Sequence, residues 1–236
     1  TLAYQVLWRA RHRHYITPRF SYDSDLLGNL AGHYSVPARN TASGVISGNI
    51  DCFIIAGKKK LDALAYSNFA GFGSAFGAST NCFAANDDDE VYDTLLASMN
   101  IHQPKLILVN FPSTDIEGHS GIWNDYISAL TNVDRLIYKL WQKIQNDPFY
   151  KNTTTLFVTN DHGRHTDNFK DHGDDCDGCE HIMLLTIGRN IPQNQRRSDL
   201  YYQIDIAATV GDLIGFETPY SEGKILFNNE KNNRVN

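Results

Sequence analysis

The feature that most constrains the fold is a long amphipathic segment between two apolar runs. Residues 121–146 carry apolar side chains at helical spacing, and Asp147-Pro148 ends the pattern. The runs at 105–111 and 153–159 are short and mostly apolar, as buried strands are. A strand, a long helix and a strand in this order predict a right-handed crossover within a mainly parallel sheet. The predicted fold class is α/β, a mainly parallel central sheet flanked by helices.

Further elements follow from the same patterns. The predicted strands lie at 51–57 and 182–187, and the predicted helices run from 87 to about 99 and from 204 to 214, with a possible helix start over 58–66. Residues 1–50 show little periodicity. We therefore expect a single domain over 1–236, poorly defined at 1–50, with its core at 51–228.

Composition limits the class of partner. The 236 residues carry a net charge of −6, which argues against a nucleic-acid backbone or an anionic membrane as the main partner. No apolar run has the length of a membrane span. The chain begins at Thr1 rather than Met, so its natural start is not visible. A periplasmic or extracellular location is slightly favoured, and the oligomeric state is not readable.

Three short motifs supply metal ligands. Asp115 and His119 are four residues apart, so one turn of helix presents both to one ion. Asp161 and His162 directly follow a predicted strand, and His181 directly precedes another. Because ligand sites in parallel sheets gather at the carboxyl ends of strands, we expect these side chains to meet. Imidazole with carboxylate favours zinc over calcium, and manganese or iron would also fit.

Each motif alone is weak, since an acidic residue and a histidine near a strand end also occur as caps and solvated side chains. The occurrence of all three motifs in order, each next to a predicted strand, favours a functional site over these alternatives. Gly118 and Gly163 are expected to let the backbone approach the ions. His165 and His172 flank the ligands and are candidates for supporting the ligands or contacting substrate, with solvated loop residues as the alternative.

Cysteine usage leaves two readings open. Cys176 and Cys179 have Cys-x-x-Cys spacing, but a four-cysteine zinc site needs a second close pair, and Cys52 and Cys82 are far apart in sequence. A local disulfide before His181 is plausible in an oxidising compartment, and free thiols are the alternative.

The segment from Leu106 to about Phe227 resembles the C-terminal part of the alkaline phosphatase superfamily. The most similar branches are the type I phosphodiesterase, nucleotide pyrophosphatase and sulfatase-like enzymes. The resemblance implies two divalent metal ions, with zinc as the preferred metal and manganese as the alternative. It places one ion on Asp115, His119 and His181, and the other on Asp161 and His162.

The same resemblance implies a Thr or Ser nucleophile and a further Asp that follows an N-terminal strand. No apolar strand of that kind precedes residue 50, although Ser35 lies in a stretch similar to the sulfatase nucleophile motif and Thr41 is a further candidate. We therefore expect that the nucleophile region is missing and that the alkaline phosphatase-like core is incomplete at its N-terminus.

Three functions remain open at this point. The first is a metal-dependent hydrolase of phosphate mono- or diesters or of sulfate esters, or a truncated part of one, acting on a small anionic ester. The second is a phosphomutase of the same superfamily. The third is a catalytically inactive metal-binding remnant, which the missing strand favours.

Overall fold

The structure is a computed structural model, and it describes residues 52–57, 80–85, 87–173, 176–189, 191–215 and 222–227. Its strands are β1 (Cys52–Ala56), β2 (Thr80–Ala84), β3 (Leu106–Asn110), β4 (Thr155–Thr159) and β5 (Leu184–Gly188). Its helices are α1 (Asp88–His102), α2 (Ser113–Ser120), α3 (Trp123–Asn146), α4 (Asp177–Glu180) and α5 (Gln203–Ile214). The α/β class is confirmed, while the possible helix start over 58–66 and the candidates Ser35 and Thr41 lie outside the described residues.

The described strands form two sheets rather than one. The first has the order β2-β1-β3, and both of its pairings are parallel. The second joins β4 to β5 in antiparallel fashion. The predicted single, mainly parallel sheet is therefore not confirmed as a whole, and within the described residues β3 does not pair with β4 across α3.

Both sheets pack against the buried face of helix α3. Its buried side chains recur every three or four residues: Tyr126, Ala129, Val133, Leu136, Leu140 and Ile144. The helix ends where Lys143 pairs with Asp147 at 2.7 Å, just before a proline that cannot continue it. Its buried face meets α1 and both sheets in one core, since Ile55 of β1 and Val158 of β4 belong to the same buried cluster.

Local signals explain the other helix boundaries. The Asp87 carboxylate accepts the Glu90 N–H at 2.9 Å and caps α1. The Asp205 carboxylate accepts the Tyr202 N–H at the start of α5 and the Lys224 N–H at 2.7 Å, which docks residues 222–227 on that helix. Among the described helices, none combines the length and apolar character needed to cross a membrane.

Candidate metal centre

The first part of the centre lies on α2, directly after β3. Asp115 Oδ1 lies 3.5 Å from His119 Nε2, as the one-turn spacing predicts. The start of the helix is anchored to α1, because the carboxylate of Asp88 accepts hydrogen bonds from both the N–H and the hydroxyl of Ser113. Burial raises the pKa of Asp88, and the bonds from Ser113 oppose that effect. The anchor fixes the direction in which α2 leaves the sheet.

The second part is the turn that follows β4. The Asn160 side chain spans this turn, donating to the His162 carbonyl at 2.8 Å and accepting the Met183 N–H at 2.8 Å. Gln203 of α5 donates to the Asn160 and Asp161 carbonyls, both at 3.0 Å. Buried backbone groups need such partners. The turn is therefore held from β5 and from α5 before any ion is considered.

The tautomer of His162 follows from its hydrogen bond. Its Nδ1 lies 2.8 Å from the Gly163 carbonyl oxygen, which can only accept, so Nδ1 carries the proton. Nε2 then presents its lone pair 3.5 Å from Asp161 Oδ1 and 3.7 Å from Asp115 Oδ1. The ring is 6 % exposed. This is the orientation that a metal-binding imidazole adopts.

His172 completes the group from the loop after β4. Its ring stacks on His162 with centroids 3.6 Å apart, and its Nε2 lies 3.6 Å from Asp115 Oδ1 and 3.1 Å from His119 Nε2. Burial, with the neighbouring His162, lowers the pKa of His172 to about 3. Its Nδ1 is buried without a hydrogen-bond partner in the described part of the chain. His172 is therefore a neutral imidazole at physiological pH, as metal coordination requires.

Arg164 is the functional neighbour that sequence reasoning missed. It is 7 % exposed, and its Nη2 donates to Asp115 Oδ1 at 2.7 Å and to the Asp115 carbonyl at 3.0 Å. Its Nη1 donates to the carbonyls of Phe169 and Lys170, both at 3.1 Å. One guanidinium thus orients the Asp115 carboxylate and ties the loop before His172 to α2.

Both glycines of the motifs lie where another part of the protein comes too close to leave room for a Cβ. A Cβ on Gly118 would lie 2.2 Å from Arg164 Cζ, so the guanidinium fits only over a glycine. A Cβ on Gly163 would lie 1.8 Å from the Gly178 carbonyl oxygen. At both positions the missing Cβ makes room for a protein group, and the approach of an ion to this backbone stays a prediction.

The structure brings four of the five predicted ligands together and places the fifth elsewhere. Asp115 lies beside His119 and His162, and His162 lies beside Asp161, whereas the side chain of His181 is exposed at the end of α4. The group whose ligand atoms all lie within 4.8 Å of one another is Asp115, His162 and His172. All ligand assignments remain predictions.

Sequence reasoning had no signal with which to choose among the loop histidines. The choice depends on how the loop folds back, with the His165 N–H donating to the Asp171 carbonyl at 3.2 Å. That closure turns His172 toward the group and leaves His165 beside Cys176 and Cys179.

The donor set fits a divalent transition metal. It consists of neutral imidazole nitrogens and carboxylate oxygens, and the described members of the group include no sulfur. Such donors suit Mn²⁺, Co²⁺, Zn²⁺ or Fe²⁺ better than Ca²⁺. The fixed tautomer of His162 adds to that fit.

Comparison with known proteins gives consistent results. A profile of the Metalloenzyme superfamily matches residues 52–218. A 2,3-bisphosphoglycerate-independent phosphoglycerate mutase of Legionella pneumophila (strain Corby) is 25% identical over an alignment of 235 residues, and the match covers 92% of this chain and 44% of the relative. The mutase of Clostridium novyi (strain NT) is 27% identical over 142 residues, covering 58% of this chain and 27% of the relative.

A solved structure is also similar. Leishmania mexicana phosphoglycerate mutase, crystallised at low cobalt concentration, superposes with a TM-score of 0.57 at 16% identity, covering 80% of this chain and 39% of that one. At this identity the likeness concerns the fold alone. The chain spans less than half the length of these relatives.

Proposed function

Because the chain belongs to the Metalloenzyme superfamily, we propose that it forms the metal-binding part of an enzyme that acts on phosphate esters. Membership confirms the resemblance to the alkaline phosphatase superfamily. The observation that carries the proposal is the convergence of Asp115, His162 and His172 within 4.8 Å, with His119 and Asp161 beside them. Phosphate esters are substrates whose developing negative charge divalent metals stabilise.

The ligands form two overlapping sets, since Asp115 Oδ1 lies 3.6 Å from His172 Nε2 and 3.7 Å from His162 Nε2. Asp115, His119 and His172 lie within 3.6 Å of one another at their ligand atoms, and we assign them to one ion. His162 and Asp161 lie 3.5 Å apart and form the start of a second set. His172 thereby takes the role that the sequence resemblance gave to His181. Bound metal would supply Lewis-acid polarisation of the phosphoryl oxygens and lower the pKa of an oxygen nucleophile.

The chain's own residues have supporting roles. Arg164 holds the Asp115 carboxylate in place through its charge-assisted hydrogen bond at 2.7 Å, and it is a positioning residue. The Gly163 carbonyl fixes the proton of His162 on Nδ1, so Nε2 stays available. Both arrangements are already present in the protein alone, which lowers the cost of binding an ion.

The nature of the metal is proposed from the same donors. The sequence favoured zinc, whereas the solved relative is described with cobalt. Imidazole with carboxylate and no thiolate is also compatible with Mn²⁺ and Co²⁺. We therefore propose Mn²⁺ or Co²⁺ rather than zinc as the ion of this centre.

Between the two enzymatic alternatives, the relatives support the mutase. The proteins compared above are phosphoglycerate mutases, which favours a phosphomutase over the hydrolase that the sequence first suggested. In either reaction the substrate is a small anionic phosphate ester, in keeping with the expected partner. Ser35 and Thr41 remain untested as nucleophiles because they lie outside the described residues.

Metal titration tests the ligand assignment. The chain, stripped with a chelator, is titrated with Mn²⁺ by calorimetry, alongside His172→Gln and the matched control His181→Gln. We expect His172→Gln to weaken binding about tenfold or more and His181→Gln to bind like the unchanged chain. The reverse ranking would restore the assignment made from sequence.

The reaction class is tested separately. The Mn²⁺- and Co²⁺-loaded chain is incubated with 3-phosphoglycerate, and both 2-phosphoglycerate formation and free phosphate release are measured. Isomer formation without phosphate release indicates a mutase, and phosphate release alone indicates a hydrolase. Asp115→Asn should abolish either activity, and metal binding with neither activity would support the inactive remnant.

A further inference from the structure

A second group of potential ligands lies beside the centre and contains sulfur. Cys176 is the N-cap of the one-turn helix α4 and Cys179 lies within it, and their Sγ atoms lie 2.6 Å apart. His165 reaches the same point from the loop after β4, so that the ligand atoms of all three lie within 4.8 Å of one another. Cys179 is buried, and the other two are half-buried. These residues do not belong to the centre described above.

The backbone explains why the three residues meet. The Gly163 N–H donates to the Cys179 carbonyl at 2.8 Å, which places α4 against the loop that carries His162. A Cβ on Gly178 would lie 2.4 Å from the Arg164 carbonyl oxygen, so only glycine permits the contact. The loop after β4 and the α4 turn are therefore in direct backbone contact at Gly178 and Cys179.

Within the turn that carries Cys176 and Cys179, a backbone N–H donates to one of the two sulfur atoms. The Cys179 N–H donates to Cys176 Sγ at 3.1 Å. A backbone N–H directed at sulfur stabilises the thiolate, which is the form that binds metal. A disulfide would use the two sulfurs alone, and it would leave the convergence of His165 unexplained.

We propose that Cys176, Cys179 and His165 bind a zinc ion that clips the α4 turn to the loop bearing His162 and His172. Two thiolates and an imidazole select zinc, whereas the oxygen- and nitrogen-only set around Asp115 does not. Donors on one tetrahedral zinc lie roughly 3.3–3.8 Å apart, given bonds of about 2.3 Å to sulfur and about 2.0 Å to nitrogen. Binding would require one cysteine side chain to rotate so that the sulfurs, now 2.6 Å apart, reach that separation, and a fourth ligand such as water would complete the tetrahedron.

The consequence is structural. The loop between His165 and His172 closes through the His165 N–H and the Asp171 carbonyl, so an ion held by His165 fixes one end of that closure. The zinc clip would therefore limit the motion of His172 relative to His162 without contacting substrate. This inference does not rest on the proposed function, because it concerns a different set of ligands.

Cobalt substitution tests the site with a signal that the first centre does not give. Only a thiolate ligand produces a sulfur-to-cobalt charge-transfer band in the near ultraviolet, and the Asp115 group offers no sulfur. The chain, chelated under reducing conditions, is titrated with Co²⁺ together with three variants: Cys176→Ser/Cys179→Ser, Cys82→Ser as the matched control, and Asp115→Asn. We expect the band in the unchanged chain, in Cys82→Ser and in Asp115→Asn, and its loss in the double variant. In a separate elemental analysis after loading with zinc, the double variant should hold one zinc ion fewer per chain than the unchanged chain.

Two results would overturn the site: no such band in the unchanged chain, or a band that survives in the double variant. If the double variant does not fold, thiol alkylation of the unchanged chain decides. Zinc should slow the modification of Cys176 and Cys179, located by peptide mapping, by about tenfold or more. Equal rates with and without zinc, or peptides joined by a Cys176–Cys179 disulfide, contradict the proposal.

Discussion

At the scale of single residues, Gly118 and Arg164 depend on each other. Gly118 lies in α2, where alanine would by itself stabilise the helix by up to about 1 kcal/mol. The missing Cβ is what makes room for the guanidinium, which four hydrogen bonds hold in place. The sequence motif shows the glycine, and only the structure shows which side chain requires it.

Replacing Gly118 tests this dependence. We expect Gly118→Ala to destabilise the chain by about 1–2 kcal/mol, since overpacking against a pinned group outweighs helix propensity. In an Arg164→Ala background the same change should be neutral or stabilising. Urea unfolding of the four proteins gives the coupling energy, and additive effects would show that the contact does not constrain the helix.

The burial of His172 makes the stability of the metal-free protein depend on pH. The pKa of His172 is lowered to about 3 from 6.5, so between these values the unfolded chain takes up a proton that the folded chain does not. In the metal-free protein, this side chain should therefore cost stability as the pH falls from 6.5 toward 3, and the cost should be absent above 6.5.

The measurement compares the chelated chain with His172→Gln by urea unfolding at several pH values. The stability of the variant relative to the unchanged chain should rise as the pH falls through that window. A difference between the two proteins that stays constant across this window would contradict the lowered pKa of His172.

At the scale of elements, α3 is an amphipathic helix with sharply different faces. Leu136 is 1% exposed in the core cluster, and Tyr138, two positions along, is 61% exposed. We expect Leu136→Ala to cost about 2–5 kcal/mol of unfolding free energy. Tyr138→Ala should stay within about 0.5 kcal/mol, and similar losses in both variants by thermal or urea unfolding would contradict the packing described here.

The predictability of elements follows the strength of their patterns. The predictions over 121–146, 105–111 and 204–214 held because long periodic or continuous apolar segments leave few alternatives. Strand β2 was not predicted, since Thr80–Ala84 is short and follows a glycine- and alanine-rich stretch. The antiparallel pairing of β4 with β5 depends on tertiary contacts such as the bond from Thr159 to the Met183 carbonyl, which local sequence does not record.

The candidate site divides in the same way. Asp115 with His119, and Asp161 with His162, were predicted as metal ligands because the residues of each pair lie close together in sequence, next to predicted strands. His172 was placed only among supporting groups, because the closure of its loop depends on the backbone and on Arg164.

At the scale of the whole molecule, the proposed metal centre would draw its ligands from segments that follow strands of both sheets. Asp115 follows β3 of the parallel sheet, and His162 follows β4 of the antiparallel pair. An ion that binds only the folded chain stabilises it by about 2.7 kcal/mol at one hundred times its dissociation constant.

We therefore expect Mn²⁺, a metal that thiolate ligands do not favour, to raise the thermal midpoint of the chelated chain in a concentration-dependent way. Asp161→Asn should reduce the shift and Asp115→Asn should remove most of it. The exposed Asp167→Asn is the control and should keep the full shift. An equal shift in all three variants would place the stabilising ion elsewhere.

The division of ligands between two sheets also has a kinetic meaning. Asp115 and His162 are separated by the whole of α3 and β4, and closing such a long stretch of chain is slower than forming a helix. Neither sheet alone contains a complete ligand set. During refolding, metal capture should lag behind the recovery of helical circular dichroism, so that an occupied centre marks a chain whose two halves have already assembled.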